Sequence, residues 1–359
     1  MTYAFAAAGT GGHIYPALAV ARALVDAGVP TSDIVFFGGD RLETRVVPEA
    51  GFDLIQLDVR GLKRSLTVDN LKIPAMVWRA ANDVETTLAA RTPGVLTVFG
   101  GYVSVPAAIG ARRVGMPYVI HEQNAVPGLA NRYVARRASR TLVAFAPALK
   151  QLTGAEVVGN PLSTAFAGYD RERLRGEALR RYGLEPGRAV IGVVGGSLGA
   201  QALNEAATSL AHTSGRNFSI LHLTGVAHHD VLANEATSQP HWVTLPFESE
   251  MPLFFAASDL VLSRAGAMTV SELAVTATPS VVVPLPAGKG YQALNASDLE
   301  QAGGAVVVDQ ARLGEVPGIL ETLVGDPDRL AAMRAGAFSV ARPDATERVA
   351  AIVKEVADG

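Results

Sequence analysis

One local pattern occurs twice in the chain: an apolar run, a glycine-rich turn, then an amphipathic stretch. It reads AFAAAGTGGHIYPALAVARAL from Ala4 and VIGVVGGSLGAQALNEAA from Val190. An apolar run without alternation is buried on both faces, as a strand is inside a parallel sheet wrapped by helices. Short apolar runs alternate with longer amphipathic ones elsewhere too, which predicts an α/β chain. Strands are expected near 3–8, 33–37, 53–57, 95–98, 117–120 and 140–143, then near 189–194, 218–222, 241–245, 259–262, 280–283 and 305–308. Helices are expected near 13–28, 41–50, 68–90, 104–113 and 128–138 in the first half. In the second they fall near 171–182, 199–212, 250–257, 266–276, 290–302, 312–324, 327–338 and 344–357. At 359 residues the chain exceeds what one core usually supports, so the two units read as two domains. The break falls at GNPLSTAF, 159–166, where Gly, Asn and Pro end the periodicity, giving domains 1–160 and 161–343. Two doubly wound, Rossmann-like domains with parallel sheets facing across a cleft would bind ligands outside the strands' carboxyl ends.

Composition narrows the chemistry. With no cysteine, disulfides, thiolate zinc sites and cysteine nucleophiles are excluded together. A net charge of −3 argues against a whole-chain nucleic-acid binder. No apolar run approaches the ~20 residues of a membrane span, and the N-terminus lacks the basic start of a signal peptide. The charge is uneven, however. Residues 1–159 carry 16 Lys and Arg against 12 Asp and Glu, and residues 160–359 carry 15 against 22.

Several short stretches carry residues suited to chemistry. In Gly9-Thr10-Gly11-Gly12-His13 the glycines let backbone amides approach an oxyanion at a helix N-terminus. The spacing is neither the dinucleotide fingerprint nor the Walker pattern. His13 sits at the positive helix end, which favours the neutral base. Gly195-Gly196-Ser197-Leu198-Gly199 can hold a diphosphate through its amides and the Ser197 hydroxyl. Ser263 to Glu272 opens another helix with small residues, and Glu272 can accept both hydroxyls of a ribose. His121-Glu122-Gln123-Asn124 places four polar side chains in a row at a strand end. His212, His222, His228, His229 and His241 lack metal-ligand spacing and read as surface or core, so no metal is expected.

Taken in order, GTGGHIYPALAVARAL, FGGYVSVPA, IHEQNAVPGLANR, VVGNP, GGSLGAQALN, SRAGAMTVSELA, PLPAGKGYQALNA and PDATERVA resemble the MurG family of peptidoglycan glycosyltransferases over nearly the whole chain. The resemblance implies a GT-B fold whose last helix, about 344–359, returns to the N-terminal domain. It implies inverting transfer of GlcNAc from UDP-GlcNAc to the 4-hydroxyl of MurNAc in undecaprenyl-linked lipid I, without cofactor or metal. Carried over by motif, the C-terminal domain would hold the donor. Ser197 would bind diphosphate, Ala267, Met268, Thr269, Val270, Ser271 and Glu272 would frame the nucleotide, and Glu248 with Phe247 would meet uracil through main-chain atoms. Gln292 and Asn295 would lie near the sugar. From the N-terminal domain, Thr10, Gly11, Gly12 and His13 would line the acceptor side and Asn124 would approach the donor, with His13 or Glu122 as general base.

The implied acceptor lies in the inner leaflet, so the basic and apolar stretch Leu62–Arg79 reads as a peripheral contact with anionic lipid at the cytoplasmic face. Cell-wall synthesis proteins are the expected protein partners. Three positions depart from the family pattern. Ser163 replaces an Arg after Asn160-Pro161, Ala8 opens the first turn, and Tyr291 precedes Gln292 where Gln or Glu is usual. Ser163 and Tyr291 keep open a paralogue that moves another UDP-sugar onto a prenyl-phosphate lipid. A UDP-sugar epimerase of the same fold, a non-catalytic lipid binder and a nicotinamide-dependent oxidoreductase are weaker alternatives.

Overall fold

The first apolar run forms strand β1, Tyr3–Ala7, and every residue of it is buried. In the computed structural model, described for residues 1–60, 73–196, 199–213, 217–286 and 291–359, β1 lies in the middle of a parallel sheet. The other strands of that sheet are β2 (Ile34–Gly38), β3 (Asp53–Gln56), β4 (Val95–Gly100), β5 (Tyr118–Glu122), β6 (Arg140–Val143) and β7 (Glu156–Val157). Their order is β3-β2-β1-β4-β5-β6-β7. A second parallel sheet holds β8 (Ala189–Val194), β9 (Phe218–Leu223), β10 (Trp242–Leu245), β11 (Leu260–Ser263), β12 (Ser280–Val282) and β13 (Ala305–Val307). It runs β10-β9-β8-β11-β12-β13. Each sheet therefore reverses direction beside its first strand, between β1 and β4 and between β8 and β11. In doubly wound folds this switch point opens the ligand crevice.

The chain divides into two compact units, Met1–Thr164 with Asp344–Gly359, and Ala165–Pro343. The first is filled on one face by Phe5, Phe36, Phe52 and Phe99, with Phe5 and Phe36 stacked at 5.0 Å. The last helix, Ala345–Asp358, packs on that face, burying Val349, Ala350, Ile352 and Val353 among Ile14, Val20 and Leu24 of helix Gly11–Asp26. Its entry is pinned by Thr346. The Thr346 hydroxyl donates to the Leu162 carbonyl at 2.9 Å and accepts from the Leu162 N–H at 3.0 Å. The second unit has its own core, built on Ile191, Leu203, Leu210, Phe218, Leu260 and Leu320.

Several elements differ from the sequence expectation, among them the short strand β7, which was not expected. The helix expected over 290–302 is two short ones, Tyr291–Asn295 and Ser297–Gln301, because the Ala296 N–H bonds Ala293 three residues back and tightens the turn. The helix expected from 312 begins at Val316, behind a 3₁₀ segment, Gln310–Glu315, in which Arg312 leaves helical geometry. A helix at His229–Ala236 escaped notice because it buries only Leu232 and so shows little apolar period. The expected helix 68–90 is seen from Ile73 to Ala89, and its earlier part lies outside the described residues.

Removing the Thr346 hydroxyl leaves both polar groups of buried Leu162 without it. Thr346→Val is expected to cost about 1–3 kcal/mol in chemical denaturation, with no change in fold by circular dichroism.

Candidate active site

The turn after β1 is shaped by glycines and held by a carboxylate. Gly9 takes a φ of +97°, open to glycine at little cost. Glu43, fully buried at the start of helix Glu43–Glu49, accepts the Gly9 N–H at 3.2 Å through one oxygen. The other oxygen accepts the Gly39 N–H at 2.9 Å and the Tyr102 hydroxyl at 3.2 Å. Burial, then the Glu43 charge, pushes the Tyr102 phenol up to about 12, so it stays a donor. At the end of β4, a Cβ on Gly100 would lie 2.8 Å from His13 Nδ1, and one on Gly101 would lie 2.4 Å from the Ala8 carbonyl oxygen. These two glycines let the switch-point strands close on the turn. The exposed Thr10 does not cap helix Gly11–Asp26 with its side chain, so first-turn amides at Gly11 and Gly12 remain for an anionic or polar ligand.

His13 is half-buried, its Nδ1 2.9 Å from Gln123 Oε1. Glu122 is 2% exposed and surrounded by donors. One oxygen accepts the Asn124 N–H at 3.0 Å and the Asn124 side-chain amide at 3.2 Å. The other accepts the Gly128 N–H at 3.1 Å and Asn131 Nδ2 at 3.0 Å. The Glu122 carboxylate is thus occupied in holding the loop 124–131, and Asn124 is held against it. Of the two expected bases, His13 has only its Nδ1 engaged in a hydrogen bond seen among the described residues.

In the second unit, a cavity of about 650 Å³ opens at the switch point. Gly195, Gly196, Gly199 and Gln201 line it from the turn after β8, Arg264, Gly266 and Thr269 from the turn after β11, and Gln292 and Gln310 beyond. Neither Ala200 nor Gly266 caps its helix with a side chain, so amide donors at two helix starts are directed to this side. Arg264 donates to the Val283 carbonyl at 3.1 Å, its Nε is buried without a partner, and no carboxylate among the described residues pairs with it. Gln310 Oε1 is also buried and unpaired. Glu272 lies partly exposed on helix Ala267–Val275, and burial pushes its carboxyl up to about 7.

Of the expected donor residues, Thr269 and Gln292 line this cavity, and Gln292 Oε1 accepts the Leu285 N–H at 2.9 Å. Ala267, Met268, Val270 and Ser271 form the first turns of the same helix, where the Ser271 hydroxyl bonds the Ala267 carbonyl. Asn295 is buried and donates to the Ala265 carbonyl at 3.0 Å, bracing the turn rather than lining the space. Glu248 is spent on structure. Arg181 grips it with two nitrogens at 3.2 and 3.1 Å, and the Tyr182 hydroxyl donates at 2.7 Å. Burial works to raise the Glu248 carboxyl, but the Glu250 N–H, Tyr182 and Arg181 outweigh it and hold it below its ordinary range. Phe247 beside it is exposed. Ser163 is exposed, and Ser197 lies outside the described residues. Sequence reading missed Glu43, Arg264 and Gln310. Arg264 sat inside a quoted motif, and its missing counter-charge is what marks it.

Two family models match: the glycosyltransferase family 28 N-terminal domain over residues 3–143 and the corresponding C-terminal domain over 190–349. The UDP-N-acetylglucosamine–N-acetylmuramyl-(pentapeptide) pyrophosphoryl-undecaprenol N-acetylglucosamine transferase of Mycobacterium avium (strain 104) is 44% identical, over 96% of this chain and 86% of that one. Its namesake in Acidothermus cellulolyticus is 41% identical over 99% and 98%. Among solved structures, Acinetobacter baumannii MurG superposes with a TM-score of 0.79 at 28% identity, covering 99% of this chain and all of that one. UDP-GlcNAc 2-epimerase from Neisseria meningitidis reaches 0.68 at 12% identity over 97% and 98%, a likeness of fold alone.

The raised Glu272 carboxyl carries a stability cost. Below its ordinary value of 4.5 it is neutral whether folded or not, and the cost enters as pH rises toward 7. Glu272→Gln is therefore expected to raise Tm at pH 8 by about 2–4 °C per kcal/mol of relieved cost, and to leave Tm unchanged near pH 4. Thermal melts at the two pH values check this.

Proposed function

The chain belongs to glycosyltransferase family 28, and on that premise we propose that it transfers N-acetylglucosamine from UDP-GlcNAc to the muramyl 4-hydroxyl of undecaprenyl-linked lipid I. The product is lipid II, formed with inversion and without metal. The observation that carries this reading is identity above 40% over both domains to transferases named for that reaction. The geometry supports it. Arg264, the amides of Gly195, Gly196 and Gly199 and the start of helix Ala267–Val275 suit a nucleoside diphosphate, and the Glu272 carboxyl suits a ribose diol.

His13 is the proposed general base. Its bare ring nitrogen takes the proton from the acceptor hydroxyl as that oxygen attacks the anomeric carbon, and the bond from that carbon to the UDP oxygen breaks. The diphosphate leaves with its electron pair. Its growing charge is met by Arg264 and by fixed amide dipoles, which need no reorganisation at the moment of reaction. Glu122 acts at one remove, by holding the loop that follows β5.

The proposed location is peripheral, at the cytoplasmic membrane face. No helix among the described residues is long and apolar enough to cross a membrane. Trp78 on helix Ile73–Ala89 is 60% exposed, with the Arg113 guanidinium 5.8 Å from its ring centre. An exposed indole beside a cation suits the interface of an anionic bilayer. The stretch Leu62–Lys72 that precedes it lies outside the described residues.

A second reading, a paralogue with another UDP-sugar, rests on exposed Ser163 and on Tyr291, 46% exposed next to Gln292. A panel of UDP-sugars with a short-chain lipid I analogue and EDTA separates the two. Preferred β-1,4 transfer of GlcNAc is expected, and product from a different UDP-sugar alone would favour the paralogue. In sedimentation with vesicles rich in phosphatidylglycerol, Trp78→Ser is expected to lower binding several-fold without affecting turnover of a soluble acceptor.

A further inference from the structure

Gln123 joins two histidines through one amide, and the chemistry of the partners dictates which way that amide points. His121, at the end of β5, is fully buried with Nε2 2.8 Å from the Gly159 carbonyl oxygen. A carbonyl only accepts, so Nε2 carries the hydrogen. Burial lowers the His121 ring to about 4, so it is neutral at working pH and its Nδ1 is bare. Gln123 Nε2 lies 3.0 Å from that Nδ1 and 2.9 Å from the His121 carbonyl, both acceptors. Only the NH₂ end of the amide satisfies two acceptors. Its oxygen is therefore the atom that faces His13 Nδ1 at 2.9 Å. An amide oxygen also only accepts, so His13 carries its hydrogen on Nδ1.

We propose that Gln123 and His121 are positioning residues that fix His13 as the Nδ1–H tautomer, reserving Nε2 as the basic atom. The inference deepens, and rests on, the reading of His13 as general base. Each link is mechanically braced. The Phe99 ring packs 5.4 Å from the His121 ring, Asn160 Nδ2 donates to the Gln123 carbonyl at 3.2 Å, and the missing Cβ of Gly100 lets His13 approach. Among the titratable groups on the elements around His13, Glu43 and Tyr102 are bonded to one another, the Glu122 oxygens are filled by four donors, the Tyr118 hydroxyl donates to the Val134 carbonyl, and Tyr3 and the exposed Tyr15 have no bond to His13. None competes for Nδ1. A base with the wrong nitrogen protonated cannot accept the acceptor's proton without first losing its own.

The test is a long-range ¹H–¹⁵N spectrum of the intact protein labelled at histidine, with His13 assigned by its loss in His13→Gln. The Nδ1–H pattern at neutral pH is expected, and the Nε2–H pattern in the unaltered protein would overturn the proposal. Gln123→Met is expected to mix the tautomers and lower kcat about 10²-fold while KM for UDP-GlcNAc stays within twofold. An unmoved tautomer in that variant would also sink it. Gln123→Glu puts a carboxylate against Nδ1–H, so the acidic limb of the kcat profile should move up by about one pH unit, a shift that loss of packing alone does not produce. The base reading fails separately: it falls if His13→Gln retains full kcat, whatever the tautomer.

Discussion

Parallel pairing throughout both sheets is the constraint on which the rest depends. It sends every strand's carboxyl end to one edge, where chain must turn without a strand partner to satisfy its amides. Order at that edge has to come from side chains. In the N-terminal domain it comes from two buried carboxylates, Glu43 collecting the turns after β1 and β2 and Glu122 collecting the loop after β5. Glu248 does the same beyond β10, with Arg181 neutralising it. These groups resemble catalytic acids by type and burial, yet their filled hydrogen-bonding capacity makes them scaffolding.

The groups proposed to meet the ligand are in the opposite condition. Arg264 has a buried nitrogen without an acceptor, Gln310 a buried oxygen without a donor, and Glu272 a carboxyl pushed toward neutrality. Arg264 and Gln310 both line the cavity at the switch point of the second sheet, and Glu272 lies on the helix that starts there. They are complementary to a molecule that offers phosphate oxygens and hydroxyls together.

The fold class was legible because strands buried on both faces leave continuous apolar runs, as β1 and β8 do. Period fails where burial is slight, and so the helix at His229–Ala236, with Leu232 alone inside, went unseen. At the site, local motifs were visible and long-range partners were not. Gly9 and Glu43, or His13 and Gln123, meet only after the sheet is assembled, and nothing in their own neighbourhoods announces the pairing. Glu122 looked like a base for the same reason: its four donors turn toward it only when the Pro127-Gly128 loop has closed.

The returning helix has a consequence for synthesis. Val349, Ile352 and Val353 complete a core whose other members stand near the start of the chain, with the whole of Ala165–Pro343 translated in between. At about 5–20 residues per second, the N-terminal domain waits on the order of ten seconds or more for its last apolar layer to leave the ribosome. Until then the face of helix Gly11–Asp26 that carries Ile14 and Val20 is uncovered. The later domain can close its own core first, so the order of maturation runs against the order of the sequence.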